Sequence, residues 1–310
     1  MERQIPEFAP QTFQQWFGKR GNRRHAGAEQ QVILWADTFN NHFFPETAQA
    51  ATAVLEKAGF EVLVPRQHLC CGRPLYDYGM LDMAKIYLRK IMKALRPQIE
   101  AGVPMVVLEP SCASVFRDEL HSLFPDDPLA KKLREQTLLL SEFLEKHAPS
   151  YPFPRMRGKA MVQGHCHHKS VLRFDAENSV LKKLGLDANV LASGCCGMAG
   201  SFGFESDKYD VSIAVGERKL LPAVRQAPLS TVIMADGFSC REQIAQETGR
   251  HALHLAEVMQ MGEAKSEMYP EEDLVDGRKA SRRKARLQAG VALAGIAIGG
   301  LAAWNFFRRR

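Results

Sequence analysis

The sequence predicts an α/β fold made of two tandem α/β repeats related by pseudo-symmetry, with a C-terminal hydrophobic helix after them. Three observations carry this. The stretch "VLEKAGFEVLVPRQHLCCG" at 54–72 is written again in kind as "VLKKLGLDANVLASGCCG" at 180–197. The offset is 126 between Gly59 and Gly185, 125 between Cys70 and Cys195 and 128 between Cys112 and Cys240, so the agreement runs well beyond one motif and marks a duplication. Within each copy, short apolar runs alternate with helical patterns, which is the order of a layered α/β fold.

The elements follow in order. Residues 1–30 form an N-terminal connector, and the first repeat occupies 31–147. It opens on the apolar strand "QVILWADT", continues through a helix near 46–58 that ends at Gly59, and enters CCG at 70–72 by a short strand or turn. A helix over 79–95 and the strand "PMVVLEP" lead to the lone Cys112, and helices follow at 113–123 and 128–147. The proline-rich "APSYPFPRMR" at 148–157 has no periodicity and reads as the linker between halves. The second repeat, 158–262, has the same plan: "AMVQGHC", a helix ending at Gly185, CCG at 195–197, a helix over 207–220, "STVIMAD", and a helix over 240–262 that starts at Cys240. The Leu, Met and Ala stripes of these helices read as core.

A charged linker at 263–286 precedes "LQAGVALAGIAIGGLAAWNFF" at 287–307, which is uncharged for 21 residues. At ~1.5 Å per residue such a helix reaches ~31 Å, about one bilayer core, and it is expected to be a transmembrane helix. Six basic residues flank it on the body side and three on the other, which places the body on the cytoplasmic side of the cell membrane with a single C-terminal anchor. The opening "MERQIPEFAP" has no apolar signal region, in keeping with a cytoplasmic body. The formal charge of +6 resides in the tail: residues 277–310 hold nine of the 41 Lys/Arg and no acid, leaving 32 basic against 35 acidic residues elsewhere. A body at −3 argues against a nucleic-acid partner.

All seven cysteines (70, 71, 112, 166, 195, 196, 240) fall at strand ends or in the CCG turns. Consecutive Cα atoms lie ~3.8 Å apart whereas an unstrained disulfide wants ~5.5 Å, so adjacent cysteines make a poor staple. Neighbouring side chains on a strand point to opposite faces, and both sulfurs approach one centre only if the backbone turns, which the following glycine allows through positive φ. Gathered thiolates select zinc, Cu(I) or an iron-sulfur cluster. Zinc sites usually carry C-x2-C, which is absent here, while iron-sulfur ligation accepts cysteines dispersed over several loops. Cys166, Cys195, Cys196 and Cys240 suffice for one [4Fe-4S] cluster; Cys70, Cys71 and Cys112 make an incomplete candidate for a second site.

This pattern resembles the cysteine-rich CCG domain found twice in one subunit of heterodisulfide reductase and in the iron-sulfur subunits of glycolate, lactate and anaerobic glycerol-3-phosphate dehydrogenases. The resemblance covers about residues 1–262. Within it, "EPSC", "CCGRPLYDYG" and the opening "IPEFAPQTFQQWFGKR" are most similar to the C-terminal part of fused FAD-binding oxidase/iron-sulfur proteins. It implies an iron-sulfur protein that relays electrons from a flavin-dependent 2-hydroxy-acid dehydrogenase toward membrane quinone, with partners supplying FAD and a ferredoxin-type iron-sulfur subunit. The sequence departs from the family pattern in three places: the first repeat lacks an early cysteine, and Glu109 and Gly237 stand where each late pair would have its first member.

Other signals are weaker. His165, His167 and His168 around Cys166 cannot all face one metal from a strand end, so at most one is expected to touch a cluster, with a solvent-facing or cluster-supporting role favoured. His68 is a minority candidate to complete the first-half set. "GMAGSFG" lacks dinucleotide-loop spacing, and no hydrolase or P-loop motif occurs. Two alternatives stay open: a thiol-disulfide (heterodisulfide) reductase-like protein, and a degenerate metal-free scaffold.

Overall fold

The computed structural model describes residues 3–21, 30–264, 271, 275–280 and 282–284. The chain separates into a unit spanning Met1–Glu271 and a second spanning Glu272–Arg310, in which residues 275–280 and 282–284 are helical. The hydrophobic segment expected at 287–307 lies outside the described residues; among those described, no helix is long and apolar enough to cross a membrane.

The first unit is a mixed α/β structure with two parallel sheets. In the first sheet, β1 (Gln30–Leu34) pairs with β2 (Phe60–Leu63) and β3 (Met105–Val106), and β4 (Thr137–Leu138) pairs with β3. The order β2-β1-β3-β4 puts β1 inside, and Val32, Ile33 and Leu34 are buried on both faces, as a central parallel strand requires. In the second, β5 (Lys159–Val162) lies between β6 (Asp187–Val190) and β7 (Thr231–Met234). β7 is buried along its length, while β6, with no fully buried residue, forms an edge.

Two helices expected to be continuous are broken. The segment expected as one helix over 128–147 is two, Pro128–Gln136 and Leu140–His147, because Thr137 and Leu138 leave the helix to pair with Met105 and Val106. The β-branched Thr137 suits that extended conformation, and the free edge of β3 supplies the backbone partners. The helix expected over 240–262 is likewise two, Phe238–Thr248 and Leu255–Ala264. Gly249 closes the first at φ 70°, and Leu253 then bridges Met234 beside β7. Inside the expected connector, Phe13–Lys19 forms a helix closed by a Thr12–Gln15 capping box, with Phe13 fully buried.

The first sheet packs around Trp35 and Phe116, whose rings meet edge-to-face at 5.0 Å. Contacts between the two halves are both polar and aromatic. Phe39 stacks on Phe238 at 4.0 Å between centroids, and Arg241 donates to Thr47 Oγ1 at 3.0 Å and to Asn40 Oδ1 at 3.1 Å. His254 Nε2–H donates to the Leu108 carbonyl at 3.1 Å while its Nδ1 accepts from the Ala256 amide at 3.0 Å.

The buried Glu109 links the two halves most directly. Its Oε1 accepts from the Ser111 amide and hydroxyl, at 3.2 and 2.8 Å, at the start of helix Pro110–Ser114. Its Oε2 accepts from the Phe238 amide at 2.7 Å, at the start of helix Phe238–Thr248. One carboxylate thus fixes the N-termini of the two helices that carry Cys112 and Cys240, where the exposed amides favour negative charge. Glu109→Ala leaves these buried donors without their acceptor and is expected to cost about 3 kcal/mol in urea unfolding, with Glu109→Gln losing distinctly less.

Candidate metal centre

Both CCG segments form the same turn. Gly72 and Gly197 adopt φ of 80° and 97°, and their amides donate to the sulfurs of Cys70 and Cys195 at 3.5 and 3.3 Å. The glycine turns the backbone so that both preceding thiols reach one side, as expected, and its N–H reinforces the first of them.

In the second half the four predicted cysteines come together. Cys166 and Cys196 both lie beside Cys195, and Cys196 also lies beside Cys240. The S–H of Cys166, followed by that of Cys196, holds the Cys195 thiol well below its ordinary range, while Cys166 and Cys196 are pushed up. Cys196 and Cys240 are buried, and Cys166 and Cys195 are half-buried. The set is therefore a pocket of sulfur with one open side.

Several neighbours support it. Gln163, just past β5, accepts from the Ser193 hydroxyl at 2.5 Å and donates to the Gly194 carbonyl at 3.3 Å, bracing the loop into the CCG turn. Lys169 donates from Nζ to the Leu191 and Ser193 carbonyls at 2.8 and 3.2 Å, which places a cation near Cys240 and Cys166. A cation and an amide beside clustered sulfurs favour their deprotonated, metal-ligating form.

The first-half set is one thiol short. Cys71 Sγ lies 3.0 Å from Cys112 Sγ, and Cys70 adjoins Cys71. Contact with Cys71, then burial, pushes the Cys70 thiol up, and contact with Cys112 does the same to Cys71. Thr38 Oγ1 approaches Cys70 Sγ at 3.9 Å. Thr38 precedes Cys166 by 128 residues, the same offset as Cys112 to Cys240. A hydroxyl thus stands beside Cys70 where a thiol stands beside Cys195 in the second half. His68 is exposed, stacks on His42 at 6.0 Å, and lines a cavity of about 420 Å³ together with Cys70.

The two late departures from the family pattern also acquire physical reasons. Glu109 is retained as the double helix cap described above. At Gly237 a Cβ would collide with the His165 ring, so an imidazole fills the space of a further side chain. Burial holds His165 at about 4, and it is neutral at pH 7. His165 and His168 are both buried rather than solvent-facing. The loops after the two CCG turns meet where the Tyr78 hydroxyl contacts Ser201 Oγ at 2.9 Å and donates to Glu205 at 3.1 Å.

The chain is similar in sequence to known proteins. The CCG cysteine-rich domain matches residues 37–117. The chain is 30% identical to lactate utilization protein A of an Exiguobacterium species, over 74% of this chain and 97% of that protein. It is 27% identical to a subunit of the anaerobic glycerol-3-phosphate dehydrogenase of Escherichia coli K12, over 81% of this chain and 64% of that protein. It is 28% identical to the D-2-hydroxyglutarate dehydrogenase of Pseudomonas putida, over 76% of this chain but only 22% of that much longer protein. The chain therefore spans less than two thirds of the last two relatives.

The two turn glycines differ in a testable way. A Cβ at Gly197 would overlap the Ser212 carbonyl oxygen, whereas at Gly72 the nearest atom is 3.4 Å away on the flexible end of Leu75. Gly72→Ala is expected to cost about 1–2 kcal/mol, the left-handed backbone penalty alone. Gly197→Ala is expected to cost distinctly more and to lower the near-ultraviolet dichroism, in parallel denaturation curves.

Proposed function

We propose that this chain, which belongs to the CCG cysteine-rich family, is an iron-sulfur electron-transfer subunit. In this reading it takes electrons from a flavin-dependent dehydrogenase of small 2-hydroxy acids and passes them toward a membrane quinone pool. The four-thiol set of Cys166, Cys195, Cys196 and Cys240 carries the proposal, because four soft donors gathered in a half-open pocket match the ligand requirement of a [4Fe-4S] cluster. Such a cluster, when bound, supplies reversible one-electron storage. The residues around it do the rest: Gly197 directs an N–H at Cys195, Lys169 offsets the charge of the thiolates, and His165 packs against Gly237. Hydrogen bonds and charge of this kind set a cluster's potential.

The two halves are read as a duplication in which the first has lost one ligand, Thr38 standing for a thiol. Partners supply FAD and a ferredoxin-type iron-sulfur subunit, and the segment 287–307 holds the assembly at the cytoplasmic face of the membrane. The names of the relatives, a lactate utilization protein and dehydrogenases of glycerol 3-phosphate and D-2-hydroxyglutarate, support a partner that oxidises a small hydroxylated substrate. Thiol-disulfide exchange is a second reading, favoured by the cavity at Cys70. At Cys70 it fits poorly, because that thiol is held above its ordinary range and the attacking species is the thiolate; Cys195, held well below its range, is where this reading stands, and a mixed disulfide trapped at Cys195 or Cys196 would support it.

Anaerobically purified protein is expected to contain about four iron and four acid-labile sulfide per chain. Cys166→Ser and Cys195→Ser are expected to lose most of both, and Cys112→Ser to retain them. Thr38→Cys supplies the missing first-half thiol and is expected to raise iron toward about eight per chain. Iron content unchanged by Cys166→Ser would contradict the assigned ligands, and absence of iron from unmutated protein shown not to have lost a cluster would favour the metal-free scaffold.

A further inference from the structure

Away from the thiols, three ligand-type side chains from different elements converge on one small space. His168 opens a π-helical turn, His168–Leu172, just after Cys166; Glu177 lies in the first turn of helix Asp175–Lys183; and Asp236 follows β7. Their donor atoms all lie within 4.8 Å of one another. Together they line a cavity of about 10 Å³, room for a single water or ion. His168 is 1% exposed and Glu177 2% exposed, and the Nε2 of His168 has no hydrogen-bond partner among the described residues.

Two carboxylates facing each other in a buried space repel and lose hydration, which a bound cation or a proton on Glu177 relieves. A neighbouring guanidinium, that of Arg117, is committed elsewhere. Arg117 holds Glu142 through two contacts of 2.7 Å. His254 approaches Asp236 at 3.5 Å, but its Nε2–H is also directed to the Leu108 carbonyl at 3.1 Å. The Leu255 amide donates to Asp236 Oδ1 at 3.0 Å, which orients that carboxylate as outer partners orient metal ligands. One imidazole and two carboxylates form a donor set for a first-row divalent ion, and zinc suits it at ~2.0–2.2 Å from each atom.

We propose that His168, Glu177 and Asp236 bind one structural divalent metal ion, zinc, distinct from the thiol sets. The ion joins the turn after Cys166 to the strand end before Cys240, and so clamps two of the segments that present the second-half cysteines.

The test is zinc analysis and zinc-edge X-ray absorption on the full-length protein purified anaerobically, and again after chelator treatment and titration with zinc chloride. The expected result is about one zinc per chain with a nitrogen/oxygen shell at ~2.0–2.1 Å and no sulfur. Glu177→Gln and Asp236→Asn are expected to weaken zinc retention at least tenfold, with Cys112→Ser leaving it unchanged. A sulfur shell near ~2.3 Å would put the zinc on the cysteines instead. That result, retention unchanged in both carboxylate variants, or failure of the chelated protein to take up zinc would each overturn the proposal. The absorption spectrum of the unmutated protein decides the matter even if the variants fold poorly.

Discussion

A single buried carboxylate sets the geometry on which the rest depends. Glu109 caps two helices at once, one beginning at Pro110 and the other at Phe238, and these carry the lone cysteine of each half. A helix N-terminus presents several amides without partners, and one acceptor shared between two such ends fixes their separation and direction. Cys112 and Cys240 therefore hold their places relative to the CCG turns because the two helix ends are tied to the same atom group. The Phe39–Phe238 stack and the Arg241 hydrogen bonds to Thr47 and Asn40 then close the remaining surface between the halves.

With the helices fixed, the CCG turns bring the sulfurs in. In each, a glycine in the left-handed region reverses the alternation of side chains along the strand exit, so adjacent thiols face one centre. The outcome differs between halves by one atom type at one position, the Thr38 hydroxyl beside Cys70 against the Cys166 thiol beside Cys195. A hydroxyl is a far weaker ligand for soft metal centres than a thiolate, so on the proposed reading this difference leaves the first-half set incomplete.

Much of this was legible in the sequence, and what was not has a common cause. The apolar runs "QVILWADT" and "STVIMAD" become β1 and β7 because their composition specifies buried parallel strands, and the glycine after each cysteine pair implies its turn. The break at Thr137 escaped a reading by helical period because it depends on a backbone partner from a distant strand, whereas that at Gly249 carries a local signal, the glycine that ends the helix. The Glu109–Phe238 cap spans 129 residues and Thr38 meets Cys70 across 32, so no local pattern announces either. The His168, Glu177 and Asp236 cluster is of the same kind: the three residues carry no motif, and the fold alone brings them together.

On the proposed reading, the second-half thiols hold a cluster and the first-half thiols do not. A crystal structure of the anaerobically prepared protein, with anomalous scattering recorded on both sides of the iron edge, tests this most directly. An iron peak enclosed by the sulfurs of Cys166, Cys195, Cys196 and Cys240, with none between Cys70, Cys71 and Cys112, is the predicted result. Iron confined to the first-half cysteines, or thiols gathered as described with no iron among them in protein of full iron content, would contradict it.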